Sequence, residues 1–357
     1  MKRAWIFIAI VVVLGLALSA CGIAADKVST DPAQPQVLTV MTHDSFAASE
    51  DVIAQFEAEN GVKLRFVKAG DAGAALNKAI LSKNAPLADV FFGLDNTFLS
   101  RALAEDLFVP YASPLLAEIP DEFELDDGHR VLPVDYGDVC INYDQVYFAE
   151  KGLELPKSLE ELTRPEYAGL LAVQNPATSS PGLAFLLATV AHFGDPGYLE
   201  YWAELRQNGV VVVNDWETAY YTNFSASSGR GPQPMVVSYG SSPAVEVIFA
   251  ETPLSEAPTA SLVGPNMCFR QVEFAGILKG TRNQALAEKF VDFMLGRSFQ
   301  ADVPLQMFVF PVNENVVLPE VFVKFSQIPD QPAQLDPEQI AAHREKWITA
   351  WDEVVLR

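Results

Sequence analysis

The chain has 357 residues, half of them hydrophobic, and carries 24 Lys and Arg against 46 Asp and Glu. The net charge of −22 argues against nucleic acid as a partner, because phosphate contacts need Lys and Arg, and it favours the attraction of a cationic small molecule. After removal of a leader, the length suits two domains of about 100–200 residues each.

The N-terminus has the pattern of a lipoprotein leader. Two basic residues precede an uncharged apolar run, residues 4–18, which is too short for a stable membrane span. The run leads into Leu18-Ser19-Ala20-Cys21-Gly22, which resembles the lipobox of bacterial lipoproteins. We predict a signal peptide over residues 1–21, lipidation of Cys21 and a flexible tether over residues 22–36, which places the protein outside the cytoplasm, in the cell envelope. A plain signal peptide that contains a Cys is the alternative.

The chain after the tether alternates strand and helix patterns. Strand-like runs at residues 37–42, 63–67 and 88–92 each lead into a polar loop, and helical patterns follow the first two loops. This order predicts parallel strands with helical crossovers, whose ligands bind at the carboxyl ends of the strands. Candidate binding residues in these three loops are His43, Asp71 and Asp95.

The middle of the chain repeats this order. Strand-like runs at residues 169–174, 210–213 and 235–238 end in polar loops, and helical patterns follow the first and the last. The chain then returns through residues 267–278 and closes with helices near residues 285–295 and 337–355. We predict two α/β lobes, the first formed by residues 37–136 and 267–357 and the second by residues 137–266.

Two crossings between the lobes, near residues 135–141 and 268–273, would form a hinge. Cys140 and Cys268 would lie on these crossing strands, in a compartment where disulfides persist. They either form a disulfide or remain two buried thiols. No CxxC motif and no Cys/His spacing predicts a metal site.

Two loops of the second lobe carry hydroxyls ahead of a helix. Ser179 and Ser180 precede Pro181, so a polar ligand atom would meet hydroxyls and unpaired N–H groups at a helix N-terminus. The alternative is that Ser180 only caps the helix. The second loop repeats the arrangement with Tyr239, Gly240, Ser241 and Ser242, in which the glycine would allow close backbone approach.

Trp216 follows a strand in a polar setting, Asn214-Asp215-Trp216-Glu217. It is either a stacking platform for a heteroaromatic cation, which contributes about 0.5–2 kcal/mol of cation–π attraction, or a core residue. Asp71 and Asp95 would complement a positive charge. Trp202, Trp347 and Trp351 lie in helical patterns and are predicted to pack in the core.

Catalytic and cofactor motifs do not occur in the sequence. It has no Gly-x-Ser-x-Gly elbow, no GxGxxG after a strand and no Walker A motif. We therefore predict a protein that is not an enzyme and that needs no cofactor.

The order and spacing of several segments resemble those of the thiamine- and thiamine-phosphate-binding periplasmic proteins of bacterial ABC importers. The resemblance covers nearly all of the chain after the tether. The matching segments are Leu38-Thr39-Val40, Asp44-Ser45-Phe46-Ala47-Ala48, Ala88-Asp89-Val90, Gly93-Leu94-Asp95-Asn96, Asp135-Tyr136-Gly137, Thr178-Ser179, Pro181-Gly182-Leu183, Trp216, Ala219-Tyr220, Ser238-Tyr239, Ser242-Pro243-Ala244 and Pro311-Val312.

The resemblance implies an α/β, two-lobed type II periplasmic-binding-protein fold with two hinge crossovers. It also implies a monomer that binds thiamine or a thiamine phosphate between its lobes and delivers it to an ABC permease. The ligand would lie among Asp71, Ser179, Ser180, Trp216 and the loop 239–242. The chain departs from the family at His43 and Val245, where relatives have Tyr, at Phe308, where they have Trp, and after Phe46, where an aromatic residue is absent. These departures leave the form of the ligand open.

Ferric binders of the same fold provide an alternative. Tyr220, Tyr221 and His43, with Glu57 or Asp71, would then converge on a hard cation. Ferric–tyrosinate ligation would colour the protein, whereas thiamine would quench Trp216 fluorescence. A purely structural surface lipoprotein would gain no stability from either ligand.

Overall fold

The computed structural model describes residues 35–226 and 230–357. The predicted signal peptide, Cys21 and the tether as far as residue 34 lie outside the described residues. Within the part that the structure describes, no helix is both long and apolar enough to cross a membrane.

The described strands join in one mixed sheet. In chain order they are β1 (Gln36–Thr42), β2 (Val62–Lys68), β3 (Val90–Asp95), β4 (Phe108–Val109), β5 (Leu132–Asp144), β6 (Leu171–Gln174), β7 (Val211–Val213), β8 (Met235–Tyr239), β9 (Thr259–Leu262), β10 (Phe269–Leu278) and β11 (Phe310–Pro311).

Helices cover the sheet and connect its parallel strands. They are α1 (Glu50–Asn60), α2 (Ala72–Leu81), α3 (Leu99–Ala104), α4 (Gln145–Lys151), α5 (Ser180–Phe193), α6 (Gly197–Gln207), α7 (Ser242–Ile248), α8 (Gln284–Leu295), α9 (Arg297–Gln306), α10 (Glu320–Phe325) and α11 (Pro337–Val355). Short 3₁₀ turns and a π-helical turn, Thr218–Asn223, occur in the connections.

The sheet contains two parallel parts that antiparallel strands connect. Its order is β2-β1-β3-β10-β5-β8-β6-β7, with β4 on β10 and both β9 and β11 on β5. Strand β1 is parallel to β2 and β3, and β6 is parallel to β7 and β8. Strands β5 and β10 are antiparallel to each other and to their other neighbours in this order. The parallel strands and the two crossings predicted from the sequence are therefore confirmed.

A disulfide joins Cys140 on β5 to Cys268 beside the start of β10, with their Cα atoms 4.3 Å apart. Of the two alternatives open from the sequence, the structure has the bonded pair. Residues Gln36–Arg357 form one compact unit, and the predicted boundaries of the two lobes remain a prediction.

Local sequence explains where α1 begins and ends. The Ser49 hydroxyl accepts from the Val52 amide at the start of α1, and Gly61 ends that helix in the left-handed conformation. Every residue of β3 is buried, as is typical of a strand that is covered on both faces. The three Trp residues predicted to lie in the core do so: Trp202, Trp347 and Trp351 are 1%, 4% and 0% exposed.

Strand β3 and several helices differ from the sequence pattern. Strand β3 continues to Asp95 because Leu94 and Asp95 pair with Phe274 and Glu273 on β10, so Asp95 belongs to the strand and not to the loop after it. Helix α9 was not predicted; it contains Pro304 and follows α8 with only Gly296 between them.

Candidate functional site

A cavity with an empty volume of about 620 Å³, its mouth included, lies where the loops after several strands meet. The cavity is lined by His43, Ser45, Asp71, Ser180, Pro181, Trp216, Tyr220, Tyr239, Ser242, Val245, Glu273, Met307, Phe308 and Val309. The cavity therefore combines aromatic faces, hydroxyls and two carboxylates, without a Lys or Arg among these lining residues.

The indole of Trp216 is held in place from several directions. Its Nε1 donates to Ser238 Oγ at 2.9 Å and its backbone N–H donates to Asp71 Oδ2 at 3.1 Å. Tyr220 stacks on it with ring centroids 5.0 Å apart and an interplanar angle of 17°. Because Trp216 is only partly buried and lines the cavity, it fits a platform for a flat ligand better than a core residue.

Asp71 caps a helix and also lines the cavity. As the N-cap of α2 it accepts from the Ala72 amide at 2.7 Å through Oδ1, while Oδ2 accepts from Trp216. Burial raises the pKa of the Asp71 carboxyl above its usual value, although the Ser179 hydroxyl and the two amides oppose the rise. A cation in the cavity would stabilise the ionised form.

Ser179 and Ser180 lie at the N-terminus of α5, which is buried. Ser179 is 0% and Ser180 is 2% exposed, and Ser180 with Pro181 lines the cavity. Neither serine side chain caps the helix. The Ser180 hydroxyl is buried and has no hydrogen-bond partner within the described structure. A ligand with a polar atom at this position would satisfy the Ser180 hydroxyl.

The loop 239–242 has two residues in the cavity wall and two residues that contact other parts of the fold. Tyr239 and Ser242 line the cavity; Tyr239 donates from its hydroxyl to Gln271 Oε1 at 3.1 Å, and Ser242 contacts Ser238 Oγ at 2.9 Å. Gly240 and Ser241 are not lining residues. The Ser241 hydroxyl donates to the Phe308 carbonyl, and a Cβ on Gly240 would lie 2.2 Å from the Gln327 carbonyl oxygen. Gly240 therefore accommodates the chain's own backbone at this point.

His43 and Glu273 form an ion pair at the cavity wall. The His43 Nε2 lies 3.7 Å from Glu273 Oε2. Burial alone would lower the pKa of His43, but the Glu273 carboxylate raises it above the usual value. Burial likewise opposes ionisation of Glu273, yet the His43 charge holds its pKa below the usual value. Gly93, at a φ of +96°, provides room for the imidazole, since a Cβ there would lie 2.3 Å from His43 Cδ2.

Asp95 lies behind the cavity and does not line it. Its side chain is 0% exposed, Oδ1 accepts from the Thr97 amide at 2.7 Å, and Oδ2 has no partner among the described residues. Burial raises the pKa of Asp95 to about 7. The sequence-based expectation of a direct ligand contact therefore finds no geometric support for Asp95.

Only part of the ligand set imagined for ferric iron lies at the cavity, namely His43, Asp71 and Tyr220. Glu57 accepts from Lys63 Nζ and from the Leu64 amide and is not a cavity residue, and the Tyr220 hydroxyl donates to Glu246 Oε1 at 2.7 Å. Tyr221 is 38% exposed and is not a cavity residue either. Among the described residues, no group of three His, Cys, Asp or Glu residues is placed to hold a metal ion.

Sequence reasoning missed part of the lining. Glu273 lies inside a strand, and Met307 and Val309 lie in a segment with no predicted role. Three positions at which the chain departs from the family pattern do line the cavity, namely His43, Val245 and Phe308. A single acidic residue within the apolar run 272–278 was the one available signal for Glu273.

The family of bacterial extracellular solute-binding proteins matches residues 85–324. The chain belongs to this family. It is 32% identical over 332 residues to the thiamine-binding periplasmic protein of Salmonella typhimurium, with 90% of this chain and 94% of that protein covered. It is also 30% identical to the protein of the same name from Brucella suis, with 88% and 90% covered.

Solved structures agree with this assignment. A periplasmic thiamin-binding protein superimposes with a TM-score of 0.79 at 30% identity, covering 91% of this chain and 99% of that one. A ferric binding protein from Campylobacter jejuni superimposes with a TM-score of 0.71 at 20% identity, which shows a shared fold only. The α/β type II periplasmic-binding-protein fold and the resemblance stated above are confirmed.

Proposed function

We propose that this chain is an exported lipoprotein that binds thiamine or a thiamine phosphate and delivers it to an ABC importer. The observation that carries the proposal is the fixed indole of Trp216 on the wall of a cavity that contains two carboxylates, Asp71 and Glu273, and no Lys or Arg. Such a wall suits a flat, positively charged ring system. The names of the relatives at 30–32% identity support the same ligand.

In this proposal the ligand ring stacks on the face of Trp216 opposite Tyr220. The hydroxyls of Ser180, Tyr239 and Ser242 meet its polar edges and its tail, while Asp71 complements its charge. Two carboxylates and the lack of Lys and Arg among the lining residues disfavour a highly charged diphosphate, since like charges repel. Free thiamine is therefore the preferred form.

Lobe closure is the proposed mechanism of capture. The lobes are residues 37–136 with 267–357 and residues 137–266, and the ligand favours the closed state because it contacts both. The closed protein docks on the permease as a monomer, held to the membrane through lipidated Cys21 after removal of residues 1–21. Capture and release need no catalysis and no cofactor.

Calorimetric titration of the signal-free protein tests the proposal. Thiamine, its monophosphate, its diphosphate and ferric citrate are titrated separately, and Trp fluorescence is followed in parallel. We expect thiamine to bind with a defined stoichiometry of one and to quench Trp216. Tight binding of ferric citrate with visible colour, or no binding of any thiamine compound, would refute the assignment.

A further inference from the structure

Glu273 occupies the middle of a row of three acids. On β10 it pairs across the sheet with Asp135 of β5 on one side and with Asp95 of β3 on the other. The register with β5 shifts between Glu273 and Phe274, and the register with β3 shifts one residue later. Such irregularities re-aim side chains and occur beside functional sites.

Only Glu273 of these three acids reaches the cavity. Asp95 and Asp135 are both 0% exposed, whereas the Glu273 side chain is 13% exposed and lines the cavity. Burial and the charge of Glu273 raise the pKa of the buried Asp135. Glu273 is therefore the carboxylate of the row that a ligand in the cavity would touch.

The structure provides Glu273 with one basic neighbour at the cavity. This is His43, whose Nε2 is 3.7 Å from the carboxylate, too long for a hydrogen bond, and the same nitrogen is buried with no hydrogen-bond partner among the described residues. The pair leaves Glu273 with capacity for a closer cation. The other carboxylate of the lining, Asp71, already accepts two backbone N–H groups.

We infer that Glu273 determines the charge specificity of the site, as the counter-ion of the ligand's positively charged ring. This inference rests on the proposed function and names the feature of the ligand that the cavity selects. A thiazolium ring carries a permanent charge that a neutral isostere lacks, and a partly buried carboxylate discriminates between them because the interaction is little screened. Cation–π attraction to Trp216 also favours the charged ring, so loss of the Glu273 charge should reduce the preference for thiamine and need not abolish it.

The test compares thiamine with 3-deazathiamine, in which a neutral thiophene replaces the thiazolium ring. Wild-type protein should bind thiamine at least tenfold more tightly than the neutral analogue. In Glu273→Gln the affinity for thiamine should fall at least tenfold, while the affinity for the analogue stays within threefold. Glu273→Asp, which keeps the charge, should retain a preference for thiamine. The control, Glu59→Gln at an exposed position of α1, removes one charge outside the cavity lining and should change neither affinity.

Each outcome decides the inference. Equal wild-type affinity for the two ligands would overturn the role of Glu273 and leave thiamine binding standing. A preference for thiamine that is undiminished in Glu273→Gln would overturn it as well. Wild-type protein that binds neither compound would remove the proposed function, and with it this role. Because each ligand is titrated separately into the same preparation of a variant, binding of the analogue also reports that the variant is folded.

Discussion

The backbone N–H of Trp216 donates to Asp71 Oδ2 at 3.1 Å, which joins two residues 145 positions apart in the chain. Asp71 belongs to the first predicted lobe and Trp216 to the second. Nearby, the Gly73 amide donates to the Thr178 carbonyl at 3.1 Å, again from one predicted lobe to the other. In the proposed mechanism these bonds belong to the closed state that a ligand would stabilise.

Gly73→Ala should weaken ligand binding through this contact. A Cβ at Gly73 would lie 2.9 Å from the carbonyl oxygens of both Ala177 and Thr178, which are backbone atoms that cannot turn away. We expect the affinity for thiamine to fall at least tenfold, equivalent to about 1.4 kcal/mol. The unfolding free energy of the ligand-free protein should change by about 1 kcal/mol or less, because the open state relieves the clash. Calorimetry and urea unfolding measure the two quantities.

A second variant separates this effect from a clash within one lobe. The same Cβ would lie 2.9 Å from Phe98 Cζ, so Gly73→Ala combined with Phe98→Leu removes that contact and keeps the two carbonyls. The double variant should still bind weakly. Gly197→Ala is the matched control, since its Cβ would meet only Phe193 Cβ at 3.6 Å. Full affinity in Gly73→Ala would show that the bound state does not bring these segments together.

Asp71→Asn should separate charge from helix capping. Asn is as good an N-cap as Asp, so the start of α2 should keep its stability, whereas Asp71→Ala should lose about 1 kcal/mol. Both variants lack the carboxylate, and we expect both to bind thiamine at least fivefold more weakly. Titration and chemical unfolding of the pair check this. An Asn variant with wild-type affinity would assign Asp71 to the fold alone.

Trp216→Ala should affect binding more than stability. Loss of the indole removes stacking and cation–π attraction of about 0.5–2 kcal/mol, or about 2- to 30-fold in affinity. Trp202→Ala is the contrasting variant, because that fully buried side chain should cost about 3–5 kcal/mol of unfolding free energy. Fluorescence titration and thermal unfolding distinguish the two. Similar losses of stability in both variants would make Trp216 a core residue.

The positions of many site residues could be predicted because they are local. Loops that follow parallel strands converge at one edge of a sheet, so the loops that contain His43, Asp71 and Trp216 were found from strand and helix patterns alone. Helix ends were equally accessible: Gly61 and Pro337 mark the end of α1 and the start of α11.

The site residues that the sequence did not predict depend on the pairing of strands that are far apart in the chain. Glu273 reaches the cavity because β10 lies between β3 and β5, and sequence periodicity does not specify which strands become neighbours. Asp95 was expected at the cavity because its strand seemed to end earlier; pairing with β10 extends the strand and buries the side chain. Gly240 looked suited to a ligand, but the segment near Gln327, far away in the chain, occupies that space.

Asp95 should make stability depend on pH. Its pKa is raised from 3.8 to about 7 in the folded protein, so the folded state binds the proton more tightly and its stability falls as the pH rises through this range. Between pH 5 and pH 8 the unfolding free energy of wild-type protein should fall by about 2–3 kcal/mol relative to Asp95→Asn. Urea unfolding of both proteins at the two pH values gives this difference. Asp330→Asn, at an exposed position, should follow the wild type; the same pH dependence in Asp95→Asn would contradict the buried, protonated carboxyl.

The Cys140–Cys268 disulfide should contribute to stability and not to ligand contact. It closes a loop between residues 128 positions apart, and removal of a native disulfide typically costs about 2–5 kcal/mol because the unfolded chain regains freedom. We expect Cys140→Ala combined with Cys268→Ala to lose stability in this range and to keep thiamine affinity within threefold, since neither Cys lines the cavity. Wild-type protein kept under reductant is the matched comparison and should unfold like the double variant. A large loss of affinity at preserved stability would instead mean that the link between β5 and β10 controls the closed state.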